Sequence, residues 1–246
     1  MSQVKKYWDI KAMADGVADV FIYGEISAYK WEDSDITAID FQNELLALGE
    51  IKTLNIYINS PGGSVFQGQA IYTMLKRHNA EKHVYVDGIA ASIASLIAMA
   101  GDVVYMPANA MMMIHNPWGI SMGDAHDMRK MADELDKIRE AMIPAYLNKS
   151  GEKLTEEGLV DLLDAESWLT AQECFDYGLC DELLEEKQIA ACVDSVQALQ
   201  NYKNVPEQVL KSVVKRNAEG LDEQTRQDLI AESKSNIAEI KRQLEL

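Results

Sequence analysis

Cysteine is scarce in this chain, which contains only Cys174, Cys180 and Cys192. An odd number of cysteines without a Cys-x-x-Cys spacing does not indicate a disulfide framework or a zinc site. Reduced thiols fit this usage better, because disulfides are rare in the cytoplasm. The sequence therefore predicts a cytoplasmic protein.

Basic residues are also scarce. The 246-residue chain has 23 lysines and arginines against 40 aspartates and glutamates, which gives a formal net charge of −17 at pH 7. Proteins that bind nucleic acid neutralise phosphates with clustered Lys and Arg, and no dense basic cluster occurs here. The composition argues against nucleic acid and anionic membranes as partners, and it indicates a soluble protein with a self-repelling surface.

Long apolar runs are absent too. The longest run of small apolar residues, GIAASIASLIAMAG over residues 88–101, is shorter than the ~20 residues that span a bilayer. It predicts a buried helix instead. The first 16 residues have no apolar core of the kind that a secretory signal peptide needs, and they predict an irregular segment.

What the chain does contain is an alternation of strand and helix patterns. Hydrophobic residues make up 48% of it, which is enough for one sizeable packed domain. The order strand, helix, strand, helix predicts an α/β fold with a parallel or mixed sheet built from βαβ crossover units. We predict three parts: an irregular N-terminal segment over 1–16, a domain over 17–186, and a charged, mostly helical C-terminal extension over 187–246.

The stretch YVDGIAASIASL indicates a strand that turns sharply into a helix at Ser92. A nucleophile needs such a turn so that its hydroxyl projects from the backbone, and small neighbours so that a substrate carbonyl can approach. The helix N-terminus that follows offers unpaired N–H groups to a developing oxyanion. The alternative is a serine in a packing helix, where Ser95 would serve equally well.

Three further segments add candidate groups. INSPGGS follows a strand, and its paired glycines let a turn present backbone N–H groups where α/β sheets collect ligands. His115 ends the apolar run of MMMIHNP, as a positioned general base would; a structural hydrogen bond is the alternative. Asp164 and Glu166 are both candidates to orient a histidine, and each is equally compatible with a solvated loop carboxylate.

Together these segments resemble the ClpP family of serine peptidases. INSPGGSV, GIAASIAS, MMMIHNP and ESWLTAQECFDYGLCDEL occur in the order and at the spacing of that family, over about residues 17–186. The likeness is greatest to ClpP-like proteins of phages and prophages, some of which resemble head-maturation proteases. The resemblance implies a ClpP/crotonase-type fold, with a protruding handle helix where the Met-rich helical pattern from residue 124 to 149 lies.

The resemblance also implies roles for individual residues. Ser92 stands at the nucleophile position, after Gly-x-Ala-Ala, and His115 stands at the position of the catalytic histidine. Gly63 matches one backbone donor of the oxyanion hole, and Ile93 matches the other. Glu166 stands where the family usually has the aspartate of its catalytic triad.

The chain departs from the family pattern in two places. A glutamate at position 166 is one methylene longer than the usual aspartate, and Asp164 lies close enough in sequence to take its role. The N-terminus matches no pattern for docking an ATP-dependent unfoldase.

The implied activity is a serine endopeptidase that hydrolyses peptide bonds through an acyl-enzyme inside an oligomeric chamber. Family members form rings, typically two stacked heptamers, so the resemblance implies self-association and polypeptide substrates. The implied further partners are an AAA+ unfoldase or phage capsid and scaffold proteins. No metal or organic cofactor is implied.

Other classes of protein fit the sequence less well. A catalytically inactive ring subunit or capsid-assembly scaffold is the main alternative, and nothing in the sequence forbids it. A crotonase-type acyl-CoA enzyme shares the fold but needs no Ser92–His115 pair. A relative of signal peptide peptidases would use a lysine base, and no lysine stands in an obvious partner position.

Overall fold

The computed structural model describes residues 6–27, 37–186, 199, 202–207 and 209. Within these ranges eight strands form a single sheet. The strands are β1 (Trp8–Ala12), β2 (Val17–Tyr23), β3 (Thr53–Ser60), β4 (Glu81–Ala91), β5 (Val103–Pro107), β6 (Met111–Ile114), β7 (Ser167–Thr170) and β8 (Glu182–Leu184). The α-helices are α1 (Ala38–Ala47), α2 (Val65–Arg77), α3 (Ile93–Ala98), α4 (Ala125–Ser150), α5 (Glu156–Asp164) and α6 (Ala171–Asp176).

The centre of the sheet is parallel. Its strands follow the order β1-β2-β3-β4-β5-β8, and the pairs from β2 to β8 along this path are parallel. Helices α2 and α3 lie in the crossovers from β3 to β4 and from β4 to β5. This architecture confirms the predicted α/β fold with βαβ crossover units.

The two faces of the sheet differ in a way that the strand periodicity explains. Successive side chains of a strand point to opposite faces, and in β3 the residues Leu54, Ile56 and Ile58 are fully buried. On the other face Tyr57 stacks on Tyr85 of β4, with ring centroids 5.1 Å apart. One face therefore carries the aliphatic core, and the other carries a row of stacked aromatic rings.

Strand β4 has two different neighbours along its length. Residues 83–85 pair with β5, whereas residues 89–91 pair with β6. The register between β3 and β4 shifts between Ile58 and Ser60, so an irregularity lies just before the split. The sheet thus forks at its carboxyl end, and β6 then pairs antiparallel with β7.

The long helix predicted from Asp124 to Lys149 is α4. Asp124 begins it with a capping box, in which its side chain accepts hydrogen bonds from the backbone N–H groups of His126 and Asp127. The buried residues of α4 all lie in its last third, so its first half extends away from the core. Of the helices in the described part of the chain, none combines the length and the apolar character that a membrane span requires.

The N-terminal prediction needs a correction. The sequence predicts an irregular segment over 1–16, but residues 8–12 form β1, which pairs antiparallel with β2. Trp8 is buried and packs edge-on against Phe41 of α1. The five residues of β1 alternate apolar and polar side chains, a strand pattern that the prediction of an irregular segment overlooked. Most of the extension over 187–246 lies outside the described residues.

Packing between α2 and α3 is tight at Gly68. A Cβ atom at this position would lie 2.3 Å from Cγ1 of Ile93. We expect Gly68→Ala to lower the free energy of unfolding by about 1–3 kcal/mol, as overpacked cores do, although alanine favours a helix by about 1 kcal/mol over glycine. Urea denaturation measures this change.

The matched control is Gln69→Ala on the same helix, which should stay within about 0.5 kcal/mol of the parent because its side chain is not in the core. A Gly68→Ala protein that is as stable as the parent, or more stable, would contradict the packing argument.

Candidate active site

Ser92 occupies the single residue between the end of β4 and the start of α3. Its backbone has φ 55° and ψ −128°, a positive-φ conformation that costs a non-glycine residue about 1–3 kcal/mol. Its N–H donates to the Met113 carbonyl at 2.9 Å, which ties the turn to β6. Strain of this kind is typical of a strand-to-helix turn that presents a nucleophile.

A buried hydrogen-bond chain supports this turn from behind. The Ser95 hydroxyl donates to the Ser92 carbonyl at 2.5 Å, and Ser95 Oγ lies 2.8 Å from the Tyr146 hydroxyl. Ser95 has one proton, so Tyr146 is the donor in the second bond. Ser95 is fully buried and committed to the backbone, so the two serines are not equivalent. Nothing in the helical pattern around Tyr146 marks it as a residue that supports the Ser92 turn.

His115 lies next to Ser92. Its Nε2 is 2.8 Å from Ser92 Oγ. The parallel pairing of β4 with β6 explains this contact, because the last pair is Ala91 with Met113, and Ser92 lies one residue and His115 two residues beyond it. His115 and Ser92 are both buried, with 9% and 8% of their surfaces exposed.

Of the two candidate carboxylates, Glu166 is the one that lies beside the histidine. The antiparallel pairing of β6 with β7 ends at Ile114 opposite Ser167, and one further step places His115 opposite Glu166. Glu166 Oε2 is 3.9 Å from His115 Nδ1. Asp164 instead accepts a hydrogen bond from Asn116 Nδ2 at 2.6 Å.

Burial and charge act in opposite directions on His115. Burial lowers the pKa of its imidazole below the ordinary value of 6.5, and the nearby Glu166 carboxylate raises it by a smaller amount. The net direction is downward, which keeps the ring neutral at pH 7. A neutral Nε2 can accept the proton of Ser92.

Two backbone N–H groups flank Ser92. Gly63 has φ 138°, and a Cβ atom there would lie 2.2 Å from the Ile26 carbonyl oxygen. Ile26 bonds to the Gly62 carbonyl and to the Ser64 N–H, both at 2.7 Å, so the Gly63 N–H points away from Ile26. Ile93 is the first residue of α3, where N–H groups have no acceptor within the helix.

A cavity of about 400 Å³ opens in front of Ser92 and His115. It is lined on one side by the Pro61–Gly62–Gly63 turn and on the other by the first half of α4. Its apolar lining residues include Val65, Phe66, Trp118, Met131, Leu135 and Ile138. The cavity therefore offers an apolar surface next to the Ser92–His115 pair.

One side chain of this cavity comes from the C-terminal extension. Tyr202 is buried, and its ring lies edge-on against His115 with centroids 5.4 Å apart. Burial raises the pKa of its phenol to about 12, and hydrogen bonding with Ser92 partly offsets that rise. The sequence predicts only a charged, mostly helical extension here, and no pattern connects Tyr202 to residues more than 80 positions earlier.

The fold and the Ser92–His115 pair define an α/β protein with a candidate serine-hydrolase site. Residues 5–187 match the family described as Clp protease, and this is more than half of the chain. The chain therefore belongs to the Clp protease family. The membership confirms the resemblance to ClpP, whereas the likeness to phage and prophage proteins stays a prediction.

Bacterial relatives in this family carry the name ATP-dependent Clp protease proteolytic subunit. The one from Bacteroides fragilis is 35% identical over 158 residues, which cover 62% of this chain and 75% of the relative. The one from Bacteroides thetaiotaomicron is 34% identical over 161 residues, 62% of this chain and 71% of the relative. That from Porphyromonas gingivalis is 32% identical over 159 residues, 63% and 71% respectively.

The balance at His115 is testable by substitution. In Glu166→Gln the carboxylate that raises the pKa of His115 is gone, while the burial that lowers it stays. We expect the pKa of His115 to fall further, so that the protonated, inactive ring appears only at lower pH. Titration of the imidazole by NMR measures this shift.

Asp164→Asn is the control for this titration, since Asp164 is not among the charges that act on His115, and it should leave the pKa of His115 in place. An unchanged or raised pKa in Glu166→Gln would show that the carboxylate does not interact with the ring.

Proposed function

We propose that this protein is a serine endopeptidase in which Ser92 is the nucleophile and His115 is its general base. The observation that carries the proposal is the 2.8 Å contact between Ser92 Oγ and His115 Nε2 on a positive-φ turn. A nucleophile and base within hydrogen-bond reach are the signature of covalent acyl transfer. Membership in the Clp protease family supports peptides as the substrate class.

The proposed reaction has two stages. Ser92 Oγ attacks the peptide carbonyl carbon while His115 Nε2 accepts its proton, and the carbonyl oxygen becomes an oxyanion held by the N–H groups of Gly63 and Ile93. The C–N bond then breaks as His115 returns the proton to the amine. Water, activated by His115, hydrolyses the acyl-enzyme. Glu166 stabilises the imidazolium in both stages.

We further propose that the substrates are extended polypeptides. The cavity beside Ser92 is lined largely by apolar side chains, which suit the apolar residues that unfolded segments expose. Relatives are named proteolytic subunits of an ATP-dependent protease, and by analogy an ATP-dependent unfoldase would supply such segments here. A role in phage head maturation and a cytoplasmic location stay predictions from the sequence.

Self-association into a ring is the second part of the proposal. Between β6 and α4, Trp118, Ile120 and Met122 are 51%, 85% and 93% exposed. Large apolar side chains exposed together mark an interaction surface more often than a free one. We propose that this surface and the exposed first half of α4 contact other copies of the chain, as the handle of ClpP-family rings does.

Labelling with a fluorophosphonate tests the proposed nucleophile. We expect one adduct per chain, on Ser92, because only an activated serine attacks the phosphorus atom at a useful rate. Ser92→Ala and His115→Ala should abolish it, whereas Ser95→Ala should keep it, since Ser95 is buried and bonded to backbone. Intact mass and peptide mapping identify the modified residue.

An adduct that persists in Ser92→Ala would contradict the assignment of Ser92 as the nucleophile. The absence of any adduct in folded, assembled protein would favour the main alternative, a catalytically inactive ring subunit or scaffold.

Native mass spectrometry tests the assembly. We expect the parent to be a multimer and the double variant Ile120→Asp/Met122→Asp to be smaller, because two new charges would be desolvated in the contact. Met13→Asp, at a residue that is 53% exposed in the connection between β1 and β2, is the control and should keep the parental mass. Identical masses for all three proteins would show that the segment between β6 and α4 is not part of the interface.

A further inference from the structure

The described residues of the C-terminal extension, which are 199, 202–207 and 209 and are called here the tail segment, lie on the candidate active site. Leu199, Tyr202 and Val209 are buried in a small apolar cluster of their own. The other members of the cluster come from β4, β6 and β7 and are Ile89, Ala91, Met111, Met113 and Trp168. The tail segment therefore covers the strands whose ends carry Ser92, His115 and Glu166.

Tyr202 reaches the reacting groups themselves. Its hydroxyl donates to the Pro61 carbonyl at 2.5 Å, directly before the Gly62–Gly63 turn. Its ring lies edge-on against the imidazole of His115, with centroids 5.4 Å apart. The 2.8 Å contact between Ser92 Oγ and His115 Nε2 persists beneath this ring, so Tyr202 covers the pair without breaking it.

The backbone of the tail segment holds the third group of the site. The N–H groups of Lys203 and Asn204 both donate to Oε1 of Glu166, the latter at 3.2 Å. The other carboxylate oxygen is 3.9 Å from His115 Nδ1, which is beyond hydrogen-bond length. The tail segment thus binds the carboxylate while the histidine lacks its partner.

We propose that the tail segment is an intramolecular inhibitory segment, which docks on the active site and must leave before a polypeptide can bind. Docked, it fills part of the cavity beside Ser92 and keeps Glu166 from closing on His115. Released, it frees the cavity and both oxygens of Glu166. The proposal rests on the proposed peptidase function and adds its regulation.

Two opposing effects set the fraction of molecules in which the tail segment is docked. A segment on the same chain has a high effective concentration at its site, yet a substrate or partner that binds only the open form shifts the population in proportion to its affinity for that form. The reaction rate of Ser92 then reports the open fraction, and any change that weakens docking should raise it.

The test is the second-order rate constant of Ser92 labelling by a small fluorophosphonate. We expect Tyr202→Ala to raise it by about tenfold or more, since a buried aromatic anchor is lost. Tyr202→Phe, which keeps the ring but loses the bond to Pro61, should raise it by about three- to tenfold. Tyr72→Phe is the matched control, as a partly buried tyrosine away from the cavity, and should leave the rate unchanged.

The pH dependence of labelling shows whether the tail segment inhibits the active site or stabilises it. If Glu166 closes on His115 after release, the pKa of His115 should be higher in Tyr202→Ala than in the parent, and the acid limb of the labelling rate should move to higher pH. Thermal unfolding of each variant shows whether the domain is intact.

The outcomes distinguish this inference from the proposed function. Equal labelling rates in the parent and both Tyr202 variants overturn the inference and leave the peptidase proposal standing. Slower labelling in a folded Tyr202 variant also overturns it, because the segment would then support the site. No labelling of Ser92 in any protein overturns both proposals.

Discussion

The position of β6 between β4 and β7 is the constraint on which the candidate site depends. Parallel pairing with β4 places His115 beside Ser92, and antiparallel pairing with β7 places it beside Glu166. Because side chains alternate along a strand, a slip of one residue in either register would turn His115 to the opposite face. The fork of the sheet at β4 makes room for β6 in this position.

The local strain at Ser92 is possible because its surroundings are rigid. A positive φ at a serine costs about 1–3 kcal/mol, and the bonds from Ser92 N–H to Met113 and from Ser95 to the Ser92 carbonyl each return about 1 kcal/mol. Tyr146 extends this support into α4. The same helix whose first half extends away from the core therefore also braces the turn.

Electrostatics at the site is set by burial more than by charge. Burial lowers the pKa of His115, and the one facing carboxylate compensates only in part because it lies 3.9 Å away. The backbone of Lys203 and Asn204 competes for that carboxylate. Glu166 thus contacts the tail segment through one carboxylate oxygen and faces His115 with the other.

The sequence alone determined the alternation of strands and helices and marked Ser92 and His115 as candidates, and the resemblance to the ClpP family added Gly63 and Ile93. These predictions depend on short patterns, such as a strand that ends in small residues before a helix. Such patterns lie within a few consecutive residues of the sequence. The same holds for α4, whose cap and apolar stripe are visible in one stretch of chain.

The tertiary structure decided what local patterns leave open. It selected Glu166 over Asp164 through the register of β6 and β7, and it separated Ser92 from Ser95 through a bond to Tyr146, which lies 51 residues further on. It also brought Tyr202 to Pro61 across 141 residues. Contacts at such separations depend on how whole elements pack, and no local spacing in the sequence encodes them.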